Sequence, residues 1–111
     1  MAKIVGIHQL ELKPGGTEQQ ADEMAARLTR EFSIPGLTTR VAKGDRGPQS
    51  GRYIMILEID SKDRRDRYFP LNGEDSAEFY QHVAPYAELI EQVMAVFVWP
   101  DPNFNDYVVS E

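Results

Sequence analysis

The hydrophobic period of this chain changes repeatedly along its length. From Lys3 to Leu12 the side chains alternate, with Ile4, Gly6, His8, Leu10 and Leu12 on one face and Lys3, Val5, Ile7, Gln9 and Glu11 on the other. That is the period-two pattern of a strand. After the turn "KPGG" the period becomes helical. Thr17 and Gln20 have the spacing of a capping box, and Ala21, Met24, Ala25, Leu28 and Phe32 recur at helical intervals until "SIPG" stops the run. "LTTRVAKG" and "RYIMILEID" are then two strands joined by the Gly/Pro-containing loop "DRGPQSG", a hairpin with a long connection. Ser61 caps a short helix through "KDRRDRYF", which Pro70 ends. Asp75 and Glu78 have the spacing of a second capping box. The main second helix starts there, Pro85 kinks or restarts it, and Tyr86, Leu89, Ile90, Val93, Met94 and Phe97 form its apolar stripe. "FNDYVVSE" is a last short strand.

The order βαββαβ predicts a ferredoxin-like α+β fold over residues 1–111, one domain with an antiparallel sheet and both helices on one face. The other sheet face then carries Val5, Ile7, Ile54 and Ile56, a patch too apolar to leave in water. A homodimer packed sheet against sheet is the expected remedy.

Charge and composition remove several classes of function. The net charge of −6 argues against nucleic acid as a partner, because phosphate neutralisation supplies most of that affinity. The cluster Arg64, Arg65 and Arg67 alternates with Asp63 and Asp66 and reads as a solvated helix face. No segment approaches the roughly 18 apolar residues of a membrane span, and "MAKIVGIHQL" lacks the apolar core of a secretion signal, so a cytoplasmic protein without a membrane partner is expected. There is no cysteine, which removes thiolate catalysis and thiolate metal sites.

"IHQLELKPGG" with its following helix, and "GRYIMILEIDSKDRRDRYF", resemble the dimeric α+β barrel superfamily. That group includes the antibiotic-biosynthesis monooxygenases and the NIPSNAP-like, EthD-like and stress-responsive A/B-barrel proteins. The resemblance covers essentially the whole chain without selecting a subfamily. It implies a homodimer whose sheets form a barrel, and in each subunit a pocket between sheet and helices. Members include cofactor-free oxygenases, isomerases, haem-degrading enzymes and proteins with no known activity, so fold alone does not settle function. The haem-degrading pattern places an Asn on the first strand and a Trp ahead of the His of the second helix. This chain has His8 and Gln9 on that strand, and Trp99 follows His82. Haem degradation is disfavoured, porphyrin binding through His82 stays open, and no cofactor is expected.

His8 shares its face with Leu10 and Leu12, and the implied architecture turns that face toward the helices. A neutral imidazole there is a candidate acid/base, since its pKa lies near working pH; the competing reading is a histidine satisfied by hydrogen bonding in a core. His82, between Phe79 and Tyr86 on the helix, is a second pocket candidate. Tyr53, Met55, Tyr86 and Trp99 are candidate walls for a small apolar or aromatic ligand, with core packing as their competing role. His8 and His82 do not form H-E-x-x-H or H-x-x-E-H, so no metal site is expected. The glycines of "KGDRGPQSGRY" match no phosphate-binding loop. Two functions stay open. One is a cofactor-independent oxygenase or isomerase acting on an apolar or aromatic metabolite, and the other is a non-enzymatic ligand-binding or structural dimer.

Overall fold

A computed structural model describes residues 2–71, 74–98 and 104–110. Its sheet is built around β1 (Ile4–Leu12). On one side β1 pairs with β4 (Tyr53–Ile59), Ile4 lying opposite Ile59 and His8 opposite Met55. On the other side it pairs along its first half with β6 (Phe104–Val108) and at its end with the two-residue β5 (Phe97–Val98). β3 (Leu37–Lys43) flanks β4, and β2 (Ser33–Ile34) folds back onto β3. All these pairings are antiparallel. The spatial order β3-β4-β1-β6 is that of the ferredoxin-like arrangement.

Three of the helices begin where a side chain replaces missing backbone partners. In α1 (Glu18–Glu31) the Thr17 hydroxyl accepts from the Gln20 N–H at 3.2 Å, and the Gln20 side chain accepts from the Thr17 N–H at 3.0 Å. The expected capping box is present. Ser61 caps α2 (Lys62–Tyr68) by accepting from the Arg64 N–H. α3 (Ala77–Val83) departs from expectation, because its cap is Ser76, whose Oγ accepts from the Phe79 N–H at 3.1 Å. The helix therefore starts one residue later than the Asp75–Glu78 spacing indicates. Pro85 separates α3 from α4 (Ala87–Met94) by a 3₁₀ turn, Ala84–Tyr86; without an N–H, proline cannot continue the α-helical ladder.

Phe97 is a second correction. The helical spacing extends the apolar stripe of α4 to it, but the helix stops at Met94 and Phe97 is a strand residue, 1% exposed and opposite Leu12. Its ring meets Tyr53 nearly edge-on at 5.3 Å. Met94, also expected in the stripe, is 49% exposed. The turn between β2 and β3 depends on Gly36, which has φ +72° and lies against Arg64, so that a Cβ there would overlap the guanidinium stem. Only glycine meets both demands.

The helices cover one face of the sheet and bury two clusters against it. One gathers Leu10, Tyr53 and Phe97 under Ala21, Leu28, Leu89 and Val93. The other gathers Ile4, Leu37 and Ile59 with Ile34 under Tyr68, flanked by Phe79 and Val83. On the opposite face Val5, Ile7, Ile54 and Ile56 are partly exposed, and Tyr107 is 52% exposed. No helix among the described residues is long and apolar enough to cross a membrane.

Candidate functional site

The two clusters hold opposite ends of the inner sheet face and meet at a seam, where Met55 packs against the first and Leu57 against the second. Along β1 the inward residues are Ile4 in one cluster, Leu10 in the other, and Gly6 and His8 between. Along β4, Ile59 and Tyr53 belong to the two ends, with Leu57 and Met55 between. Paired residues of antiparallel strands share a face, so two rows cross the seam. One runs Thr39, Leu57, Gly6, Asp106, and the next runs Val41, Met55, His8. Gly6 is buried, whereas His8, Met55 and Leu57 are half-buried. The helix-facing parity expected for His8 is therefore the parity observed, and the histidine is half-buried there. Phe32 and Tyr86 touch both clusters and bridge the seam.

Burial lowers the His8 pKa from its ordinary 6.5, and the Asp106 carboxylate opposes that shift by favouring the imidazolium. The net direction is downward, so the ring is largely neutral at pH 7, the form in which it can accept a proton. Asp106 is tied at 3.0 Å to Arg65 of α2, which also holds Asp66 at 2.7 Å. Arg64 and Arg67 pair with Asp60 and Glu78. The expected solvated arginine face is thus a set of ion pairs, with Arg65 directed at β6.

The remaining candidates divide between seam and core. Met55 lies directly opposite His8. Tyr53 is 4% exposed and donates its hydroxyl to Asp22 Oδ1 at 2.6 Å. That bond is the main reason the Asp22 carboxyl lies below its usual range, and Lys43, which also pairs with Glu18, adds to the effect. Tyr86 donates to the Ser33 carbonyl at 2.8 Å, and its ring centre lies 4.8 Å from that of Phe32. His82 meets Tyr68, a member of the second cluster, edge-on at 6.0 Å. Trp99 lies outside the described residues. The structure accordingly brings His8 and Met55 together, ties the two tyrosine hydroxyls into the scaffold and sets His82 against Tyr68.

Sequence reasoning missed Asp106 and Arg65. The available signal was Gly6, since a glycine inside a strand marks a close approach; a Cβ there would meet Asp106 Oδ1 at 2.9 Å. Thr39 Oγ1, buried in the same row, has no hydrogen-bond partner among the described residues. An open groove of about 660 Å³ runs along the outside of α3 and α4, lined by Val83, Ala87 and Ile90. None of the expected site residues lines it. Among the described residues no three His, Asp or Glu side chains form a group able to hold a metal ion.

No family model matches the sequence, and no curated protein sequence matches it. Among solved structures the chain is similar to SnoaB, a cofactor-independent oxygenase from Streptomyces nogalater, with a TM-score of 0.60 and 11% identity over 100% of this chain and 96% of that one. At that identity the likeness shows the fold. It is a mixed α+β unit with helices on a curled antiparallel sheet, as in half of an α+β barrel.

Proposed function

We propose that this protein binds a small apolar or aromatic metabolite in the seam and acts on it as a cofactor-independent oxygenase, with His8 as the base. The observation that carries the reading is the placement of a half-buried, mainly neutral imidazole on the sheet floor between two packed clusters. SnoaB, a cofactor-independent oxygenase, shares this fold and directs the choice of reaction, in which no metal or flavin takes part. His8 removes a proton from a carbon made acidic by neighbouring phenol or carbonyl groups. The carbanion passes one electron to dioxygen, and the radical pair combines to a peroxide that takes the proton back from His8. Loss of water leaves a ketone, so that a CH₂ group and O₂ become C=O and H₂O.

The test is oxygen consumption over a panel of anthrones and quinols, with product analysis by mass spectrometry. Uptake lost in His8→Ala supports the reading, and equal turnover by the two proteins removes His8 as the base. A second reading, a ligand-binding dimer without turnover, draws on the hydroxyls of Tyr53 and Tyr86, both committed to scaffold bonds. It predicts a retained ligand in native mass spectrometry and no oxygen uptake.

In either reading we infer a homodimer through the outer sheet face, as Val5, Ile7, Ile54, Ile56 and Tyr107 form an incompletely covered apolar surface. Light scattering should give about twice the chain mass of 12.6 kDa at micromolar concentration. A mass of one chain would overturn it.

A further inference from the structure

We propose that Asp106 is the positioning residue of His8, a carboxylate carried on β6 to the imidazole of β1 and held there by Arg65 as a latch from α2. Asp106 pairs with Gly6, two residues from His8 and on the same inward face, which makes the carboxylate a diagonal neighbour of the imidazole. Gly6 makes the approach possible, since its missing side chain leaves the space the carboxylate occupies, 2.9 Å from where a Cβ would stand. Arg65 reaches the other carboxylate oxygen at 3.0 Å and joins elements 41 residues apart in sequence. The two side chains are partly exposed, Arg65 at 21% and Asp106 at 28%, and Asp106 as a whole residue is open to solvent.

A carboxylate beside an imidazole stabilises the imidazolium formed when the base takes its proton and restricts the ring's orientation. Arg65 moderates this effect by neutralising part of the charge. With the latch closed, His8 stays mainly neutral and ready to accept a proton; with the latch open, the carboxylate would raise its proton affinity. Among the described residues, β4 presents Met55 and Leu57 in the seam, α2 presents Arg65 with Asp66 behind it, and β6 presents Asp106. On α3, Glu78 faces Arg67 and His82 faces Tyr68. Asp106 is the charged group whose field reaches the ring.

The inference rests on His8 being the base of the proposed function, but the two fail separately. The chain has 2 histidines, so NMR titration of the imidazole resonances, assigned with His82→Gln, follows His8 without any substrate. Asp106→Asn should lower the His8 pKa by about half a unit, the order of magnitude for loss of one neighbouring charge in a water-like dielectric. Arg65→Gln should raise it by a few tenths. Glu58→Gln, the same loss of charge on the outer sheet face, should leave it in place. A His8 titration unmoved by Asp106→Asn overturns the dyad even where oxygen uptake depends on His8. Equal oxygen uptake by wild type and His8→Ala overturns the oxygenase reading and leaves the titration shifts intact. If Asp106→Asn does not fold, Arg65→Gln decides alone, with a downward or absent shift overturning the proposal.

Discussion

Tyr68→Phe removes a single hydroxyl from the most deeply packed aromatic of the second cluster, and the structure gives its magnitude. Tyr68 is 0% exposed, its ring lies 5.8 Å from Phe79 and 6.2 Å from Phe69, and its hydroxyl donates to the Pro35 carbonyl at 2.7 Å. That bond ties the end of α2 to the turn between β2 and β3. Phenylalanine keeps the ring contacts and loses only the bond. Pro35 sits in an exposed turn, so its carbonyl regains water and the unsatisfied-acceptor penalty does not apply. The loss should be about 1 kcal/mol. For 111 residues, an unfolding entropy of about 2.1 cal/mol/K per residue makes that a fall in Tm of about 4 °C. Tyr68→Ala removes the ring as well and should cost about 3 to 5 kcal/mol. Urea unfolding followed by circular dichroism measures both, with an unchanged m-value as the sign that native and unfolded states keep their compactness. A Tyr68→Phe protein as stable as wild type, or as unstable as Tyr68→Ala, would refute the reasoning.

Three further expectations concern other buried groups. Phe97→Ala should destabilise by about 3 to 5 kcal/mol in the same assay, as expected for a filled core position rather than the end of a surface helix. Thr39→Val should raise stability by about 1 kcal/mol, because it removes a buried hydroxyl with no partner among the described residues; a loss of stability would show that the hydroxyl is bonded in solution. The third concerns pH. His8 has a folded pKa below its ordinary 6.5, so the unfolded chain binds the proton more readily. Its penalty is absent above pH 6.5, grows as pH falls through that value and is complete below the folded pKa. His8→Gln should flatten the stability profile over that window, as read from unfolding midpoints against pH. At lower pH the depressed carboxyls of Asp22, Asp60 and Glu78 have the opposite history: their contribution is present above their ordinary values and is lost as pH falls through the folded ones.

The fold is legible in the sequence wherever local pattern and tertiary burial agree. Alternation in β1 and β4, the Thr17–Gln20 box and the division at Pro85 are set within a few residues, and each appears in place. Phe97 misleads because its spacing from Val93 and Met94 continues the helical stripe and no glycine or proline intervenes before Pro100. Only its pairing with Leu12, 85 positions away, places it on a strand. The Ser76 cap is masked by an equally plausible Asp75 one residue earlier. Strand parity alone turns His8 inward, so its place on the sheet is legible. Asp106 is not, because its position depends on the register of the last strand against the first. Arg65 looks like part of a charged surface because its partner lies beyond any helical spacing.

In the proposed reaction the half-buried imidazole of His8 takes the proton, and the pH dependence of oxygen uptake tests that step. With a substrate that turns over, kcat/KM should fall on the acid side through one ionisation, at the same pH as the His8 titration seen by NMR and below 6.5. His8→Ala should lose a factor of about 100 or more in rate together with that acid limb. An acid limb that persists in His8→Ala, or one that stands apart from the His8 titration, would contradict the account.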